Sequence, residues 1–375
     1  MTALSTSEMN ILLATAGDYE GVLAISEGIY AGIDYLPFRY HAWLKDPQRR
    51  MFVAKLEEKV VAFDSFLVVD GGVAAVLQGL RVAPWMRGRG VAGIIQKFTL
   101  DTLRLDHPDV TKIRLTRAED PPPTMLNKYS FLHSKAVIPV YLSAHELEEA
   151  LKVLESRIPS TCQEFPPPVF LDYSEVHRLF SGPLQEGDLL PRRLLIQAWL
   201  PITTCKANLD LMQRWRVRWL CSYPCDAMHR ISGSSEVPYV IASSDITNDG
   251  SASKDDNISV SGTGPSSAAV KGFLSLTSPM FPVPLGDGKH RLDIDLFGTD
   301  LSCAKIHILL LLKEAVKALP TGGSIVCILY AEESLRDGLT GFLDRLIPFT
   351  LCREQLVLEM DIKPVKTPPS TQCHN

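Results

Sequence analysis

Residues 81–98, RVAPWMRGRGVAGIIQKF, constrain the fold more than any other stretch of this chain. A β-branched run breaks at Pro84, crosses Arg87-Gly88-Arg89-Gly90, and at once becomes a helix with Val91, Ile94, Ile95 and Phe98 on one stripe. A turn without side chains at the start of a helix leaves several backbone N–H groups unpaired and pointing one way. Such a turn suits a phosphate. Glycines 88 and 90 let the amides approach closely, the helix dipole adds partial positive charge, and Arg87 and Arg89 add cationic donors at the rim.

The pattern around this turn alternates between strand and helix. Ile11 to Thr15 reads as a strand, Asp18 to Ile25 as a helix capped by Asp18, and Phe38 to Leu44 as a second short helix ending near Asp46-Pro47. Met51 to Leu56, Val60 to Val69 and Val73 to Val82 form a meander, its last turn at Asp70-Gly71-Gly72. After the amphipathic helix come a strand (Lys112 to Thr116), a short helix (Pro121 to Tyr129) and a last strand (Ala136 to Leu142). The predicted order is β, α, α, β, β, β, α, β, α, β.

The later chain repeats part of that order: Ala268 to Leu276, Arg291 to Leu296, a helix over Cys303 to Leu319, a strand Ser324 to Tyr330, a helix Ser334 to Leu346 and a strand Gln355 to Asp361. LNKYSF and RLIPF both end a helix on a phenylalanine. This predicts a second, diverged copy of the first unit. The copy's FGTDLSCAK has a single glycine at the turn, so it is expected not to hold the phosphorylated cofactor that the first turn suits. The boundaries are placed at 1–150 for the first unit, 151–190 for a connecting segment and 191–365 for the copy. The stretch 244–266, made of Ser, Asp, Gly and Asn, is expected to be a flexible insertion, and 366–375 a disordered tail.

Composition narrows the class. At 375 residues, 46% hydrophobic and 22% charged with net charge −5, the chain is long enough for two cores and too acidic to favour nucleic acid. No basic region precedes an apolar run at the N-terminus, and the longest aliphatic run is Ile308 to Leu312, so a cytoplasmic protein without membrane contact is expected. All eight cysteines lie beyond residue 161. Cys221, Cys225 and His229 are spaced as ligands on one helix face can be, but no CxxC accompanies them and no metal is expected.

Arg87-Gly88-Arg89-Gly90-Val91-Ala92 fits Arg/Gln-x-x-Gly-x-Gly/Ala, and its place between a strand and a helix resembles the GNAT superfamily of acetyl-CoA-dependent N-acetyltransferases. The resemblance covers residues 10 to 142. IDYLPFRYHAWLKDP together with GLRVAPWMRGRGVAG is most similar to the vertebrate histidine N-acetyltransferase group. It implies an α/β (α+β) GNAT fold: a mixed, mostly antiparallel central sheet flanked by helices, with a second, degenerate GNAT-like unit. It also implies acetyl-CoA as co-substrate and a small-molecule amino acid as acceptor, giving N-acetyl-L-histidine. By the same resemblance the pantetheine arm runs along the backbone of Leu80, Arg81 and Val82, while Arg87 to Ala92 take the diphosphate. The strand holding Leu80 splays near Pro84 from Lys112 to Thr116, and the acetyl group sits in the gap.

Many relatives carry a glutamate base on that strand and a tyrosine acid in the last helix. Here Gln78 stands on the strand, Leu126 at the tyrosine position, and Tyr129 three residues on. An α-amine titrates near pH 8, so an appreciable fraction is neutral without a dedicated base. The Val82 amide is a candidate for holding the oxyanion. Glu119 and Asp120 are candidates for base or amine anchor, and equally for capping the helix before Pro121. The loop Tyr30 to Tyr40 would select substrate: Asp34 accepting from the imidazole N–H, Tyr30 and Tyr35 as stacking walls or simply as packing. Arg81 and Arg117 are candidates for the carboxylate, or surface charges. The alternatives are an acetyltransferase acting on proteins or peptides and a CoA-binding scaffold without turnover. The chain is expected to be a monomer.

Overall fold

The computed structural model describes residues 9–158, 167–181, 189–223 and 272–362. The expected insertion at 244–266, the tail at 366–375, and Cys225 and His229 lie outside these residues, as does part of 151–190. The first half runs β1 (Asn10–Leu13), α1 (Tyr19–Ile25), α2 (Leu36–Leu44), β2 (Arg49–Leu56), β3 (Lys59–Val69), β4 (Ala74–Val82), α3 (Val91–Asp106), β5 (Lys112–Ala118), α4 (Pro123–Leu126) and β6 (Ser130–Leu142). The order matches the expected one. Asp18 does not cap α1: its carboxylate accepts from the Thr15 N–H and hydroxyl at 2.8 Å each and pairs with Lys55 at 2.8 Å. The helix predicted over 121–129 shrinks to the four residues of α4. Three successive prolines remove N–H donors from its start, and Tyr129 is drawn into the core.

After α5 (Leu147–Ser156) come β7 (Val169–Leu171), α6 (Tyr173–Ser181), β8 (Leu194–Gln197), β9 (Leu200–Thr203), α7 (Lys206–Arg214), β10 (Arg218–Ser222), β11 (Phe273–Thr277), β12 (Phe281–Pro282), β13 (Lys289–Phe297), α8 (Leu301–Lys317), β14 (Ser324–Ala331), α9 (Arg336–Phe342), β15 (Ile347–Pro348) and β16 (Glu354–Asp361). The sheet order is β1-β2-β3-β4-β5-β16-β6-β14-β13-β11-β10-β7. Read from its two ends, β1 to β5 and β7, β10, β11, β13, β14 form the same meander. The second unit thus repeats the first, with the β8–β9 hairpin inserted between its two leading helices.

The two copies differ at one pairing. β13 and β14 run parallel over seven residue pairs, from Lys289↔Ser324 to Asp295↔Tyr330. β4 and β5 pair over three, Ala74↔Lys112 to Val76↔Arg114, and then part. Of these two pairings, the one in the first unit opens a gap. The splay begins at Val76, well before Pro84. The ladder with β3 shifts between Phe63 and Ser65, where Gly79 and Leu80 together oppose Asp64, and Gly79 sits at φ 83°. Such a bulge bends β4 away from β5, and its conformation selects glycine.

Units bounded at 1–150 and 191–365 are not structurally separate. β16, from the end of the chain, lies between β5 and β6, with Gln355↔Ala118 through Asp361↔Lys112 on one side. β6 in turn pairs with β14 from Ala136↔Ala331 to Leu142↔Ile325. Each half therefore completes its sheet with a strand from the other.

Candidate active site

Beyond Val76 the parting strands enclose a cavity of about 320 Å³, lined by Leu77 to Arg81 of β4, Leu115 to Ala118 of β5, Tyr30, Tyr35, Asp64, Gln96, Met125 and Trp199. β4 then runs into the glycine turn. Gly88 (φ 73°) and Gly90 (φ 81°) both adopt the left-handed conformation, and a Cβ at either would meet nothing within 4 Å. Glycine is needed there for backbone angle rather than for space. Gly90 is the N-cap of α3 and no side chain caps the helix, so the first intrahelical bond is from Ile94 N–H to Gly90 C=O at 3.2 Å. The amides of Val91, Ala92 and Gly93 are left for an anion. Val91 itself is buried, while Arg87 to Gly90 are exposed at the rim. This donor set fits a diphosphate.

On β4 the Ala83 N–H donates to the Val61 C=O at 2.9 Å, so ladder alternation turns Arg81 toward β3 and Val82 toward the gap. The Val82 C=O accepts from Arg87 Nε at 3.2 Å and the Leu80 C=O from Arg81 Nη1 at 2.9 Å. The Arg81 backbone is thus no partner for the pantetheine arm. Its side chain is neutralised: Nε and Nη2 donate to Asp34 at 2.9 and 2.7 Å, and both residues are buried. Burial opposes the Arg81 charge, but Tyr30 and Asp34 outweigh it and hold the guanidinium firmly protonated.

That ion pair corrects the role expected of Asp34. Its oxygens take Arg81 and the Leu36 N–H (3.1 Å), it is 1% exposed, and it does not line the cavity. Asp34 positions Arg81 and α2 instead of meeting an imidazole. Glu119 is also no base. Its oxygens accept from the N–H groups of Arg353 and Glu354 at 3.1 Å, fastening the start of β16. Burial raises its pKa, yet these backbone donors win and hold the carboxyl below its ordinary range. Tyr129 lies in the core outside the cavity lining; burial, then the Asp64 charge, push its phenol up. Arg117 does line the cavity, donating to the carbonyls of Ala118 (3.2 Å) and Asp120 (3.3 Å).

Tyr30 and Tyr35 both line the cavity. Their rings stack at 6.1 Å, and Tyr30 stacks in turn on Trp199 at 5.9 Å. Trp199 comes from the tip of the β8–β9 hairpin of the second unit. Its carbonyl accepts from Gln78 Nε2 of β4 (3.2 Å) and Thr116 Oγ1 of β5 (2.9 Å), bridging the strands where they part. Gln78 Oε1 accepts from Arg49 Nη2 at 2.8 Å, so this amide is a strut and not a proton carrier. The tip is held by the Ala198 N–H to Asp295 (2.7 Å) and the Ala198 C=O from Gln355.

Asp64 is the cavity residue that sequence reasoning missed. It is 1% exposed, both its oxygens lack a hydrogen-bond partner, and no other carboxylate lines the cavity among the described residues. Burial pushes its carboxyl up to about 7; the nearby Thr99 hydroxyl and Ser65 N–H moderate the rise. A signal was present, since Asp64, with Ser65 beside it, interrupts the apolar run VVAFDSFLVV. Trp199 had no comparable signal.

Fold and site together define a GNAT-type acetyltransferase: the splayed strands, the bulge and the uncapped glycine turn occur in one half of a tandem. Residues 22–121 match the family described as "Acetyltransferase (GNAT) family", and 164–245 with 256–332 match "Histidine N-acetyltransferase, C-terminal". A tandem GNAT protein from the clavulanic acid biosynthesis pathway shares the fold at TM-score 0.50 and 12% identity, covering 96% of this chain and 100% of that one. The chain belongs to the histidine N-acetyltransferase family. It is 32% identical over 362 residues to the Histidine N-acetyltransferase of Xenopus tropicalis, covering 95% of this chain and 96% of that protein. It is also 32% identical over 362 residues to the "Probable N-acetyltransferase 16" of Homo sapiens, covering 94% and 86%. Among the described residues no helix is long and apolar enough to cross a membrane, and no cluster of three metal-ligating side chains occurs.

Proposed function

We propose that this protein transfers acetyl from acetyl-CoA to the α-amino group of free L-histidine, giving N-acetyl-L-histidine and CoA. The observation that carries the reaction class is the parting of β4 from β5 after three residue pairs, on the strand that runs into the uncapped glycine turn. The histidine assignment rests on the named Xenopus relative. Acetyl-CoA supplies the activated thioester. The amides of Val91 to Gly93, with Arg87 and Arg89, hold its diphosphate. The Val82 N–H, turned into the gap, stabilises charge developing on the acyl oxygen.

Asp64 moves the proton. Phe63 packs on Tyr40 of α2, so strand alternation turns Asp64 to the opposite face, where α3 and Thr99 lie. That is the cofactor side, and an acid titrating near 7 there would give its proton to the departing sulfur as the C–S bond breaks, the carboxylate so formed being reprotonated through solvent by the proton that the acylated nitrogen sheds. The amine arrives on the Tyr30, Tyr35 and Trp199 side, neutral in appreciable fraction because an α-amine titrates near 8. With net charge −5 and sheet halves that cover each other's inner edges, the enzyme is taken as a cytoplasmic monomer without nucleic-acid partners.

Purified protein, acetyl-CoA and a panel of free amino acids and short peptides, followed by CoA release, test this. Turnover strongest with histidine is expected. Turnover confined to peptides, or CoA binding without turnover, overturns the proposal.

A further inference from the structure

Beside the cavity, sharing Tyr35, Gln78 and Trp199 with it, lies a smaller void of about 30 Å³ lined by Arg39, Arg49 and Arg291 and by Asp293. Arg291 and Asp293 neutralise each other: Nε and Nη2 donate to the carboxylate at 3.1 and 2.9 Å, and the Tyr330 hydroxyl adds a third donor at 3.0 Å. Arg49 has no such partner. It is 4% exposed, stacks on Trp43 at 3.7 Å, and donates only to the neutral Ser65 hydroxyl (3.2 Å) and Gln78 (2.8 Å). Arg39 stacks on Phe281 at 5.2 Å and makes no hydrogen bond or ion pair among the described residues. The void therefore holds two cations in excess of its anions.

The unpartnered atoms point the same way. Three buried side-chain polar atoms on this lining have no hydrogen-bond partner: Arg49 Nε, Gln197 Nε2 and Trp199 Nε1. All three are donors, and in arginine and tryptophan no flip of the group changes that. A buried arginine without counter-ion and a set of orphaned donors are each costly, and one small anion with several lone pairs satisfies both. Burial lowers the Arg49 pKa to about 9; the charge of Asp46 opposes that shift only in part and Arg39 adds to it, a strain that an anion relieves.

We propose that this void is the carboxylate pocket of the acceptor amino acid, with Arg39 and Arg49 as its cations and Gln197 and Trp199 as its neutral donors. The proposal rests on free histidine as acceptor. It replaces the carboxylate role considered for Arg81, whose charge Asp34 already consumes. In an amino acid one carbon separates the amine from the carboxylate. A void adjoining the cavity at Gln78 and Trp199 thus holds the carboxylate while the amine faces the thioester. Two of the four proposed donors come from the second unit's hairpin. That unit, which lacks a glycine turn of its own, would thereby set acceptor specificity for the first.

The test compares L-histidine, L-histidinamide and histamine as acceptors for the wild-type full chain and for Arg39→Gln, with melting curves for both proteins. Removing the carboxylate from the acceptor is expected to lower kcat/KM about 100-fold or more, mainly through KM. Arg39→Gln is expected to raise the KM for histidine and shrink the histidine-to-histamine ratio at least about tenfold. Wild-type turnover of histamine or histidinamide within about threefold of histidine overturns the pocket even if the variant fails to fold. A folded Arg39→Gln that keeps the full ratio also overturns it. No turnover of histidine by the wild type instead overturns the acceptor assignment, a distinguishable result.

Discussion

Asp64 concentrates the residue-scale argument. A carboxyl with no hydrogen-bond partner in the middle of an apolar strand opposes folding once it ionises, and stability is otherwise purchased by removing such groups. Its folded pKa is raised to about 7, above the unfolded value, so its favourable contribution is complete at acid pH and is lost as pH rises toward 7. Asp64→Asn keeps the shape and removes the charge. At pH 8 this variant is expected to be more stable than wild type, by on the order of 2 kcal/mol. At pH 4 the gain is expected to vanish. Its kcat is expected to fall about 100-fold with KM for histidine little changed. Melting curves at the two pH values and steady-state rates check this. A variant that gains stability and keeps full kcat makes Asp64 a mere buried acid. Gly79 teaches a related lesson, because a glycine inside a strand marks a bulge, and this one decides where β4 leaves β5.

At the scale of elements, the same turn and helix can be read from the sequence while their neighbours cannot. The stripe of Val91, Ile94, Ile95 and Phe98 and the glycines before it specify α3 and its open N-terminus locally. The β8–β9 hairpin is legible as a turn between apolar runs, but not as part of another unit's active site. β16 is likewise a plain strand pattern whose neighbours are settled elsewhere. Glu119 fastens it through the N–H groups of Arg353 and Glu354, and that carboxyl is held below its ordinary pKa despite the opposing effect of burial. The contribution is therefore present near neutrality and lost as pH falls through the folded value. Glu119→Ala is expected to cost about 1–2 kcal/mol at pH 7 in denaturant titration, and the deficit to shrink as the pH is lowered. A variant with undiminished stability at pH 7, or one whose activity falls without any loss of stability, contradicts this strand-anchoring role.

For the whole molecule, exchange of strands makes the halves one cooperative object. β6 stands between β16 and β14, so neither half keeps a complete sheet when the other is removed. A chain ending at residue 353 lacks β16, leaving the inner edges of β5 and β6 without a partner. It is expected to aggregate or to lose its cooperative melt, and residues 1–150 alone to behave the same way. Calorimetry and size-exclusion chromatography of both truncations check this. A truncation at 353 that melts cooperatively and retains CoA binding shows that the first unit is self-sufficient.

The sequence by itself determined the glycine turn, the order of elements, the duplication, and the lack of that turn in the second copy. These depend on local backbone preference and on periodicity, both carried by neighbouring residues. The tertiary structure alone decided which charges were already spent. Asp34 goes to Arg81 and Glu119 to β16, while Arg39, Arg49 and Asp64 keep unmet capacity around the cavities. A side chain's chemistry is set by the partners that burial leaves it, and those partners come from residues up to 258 positions away.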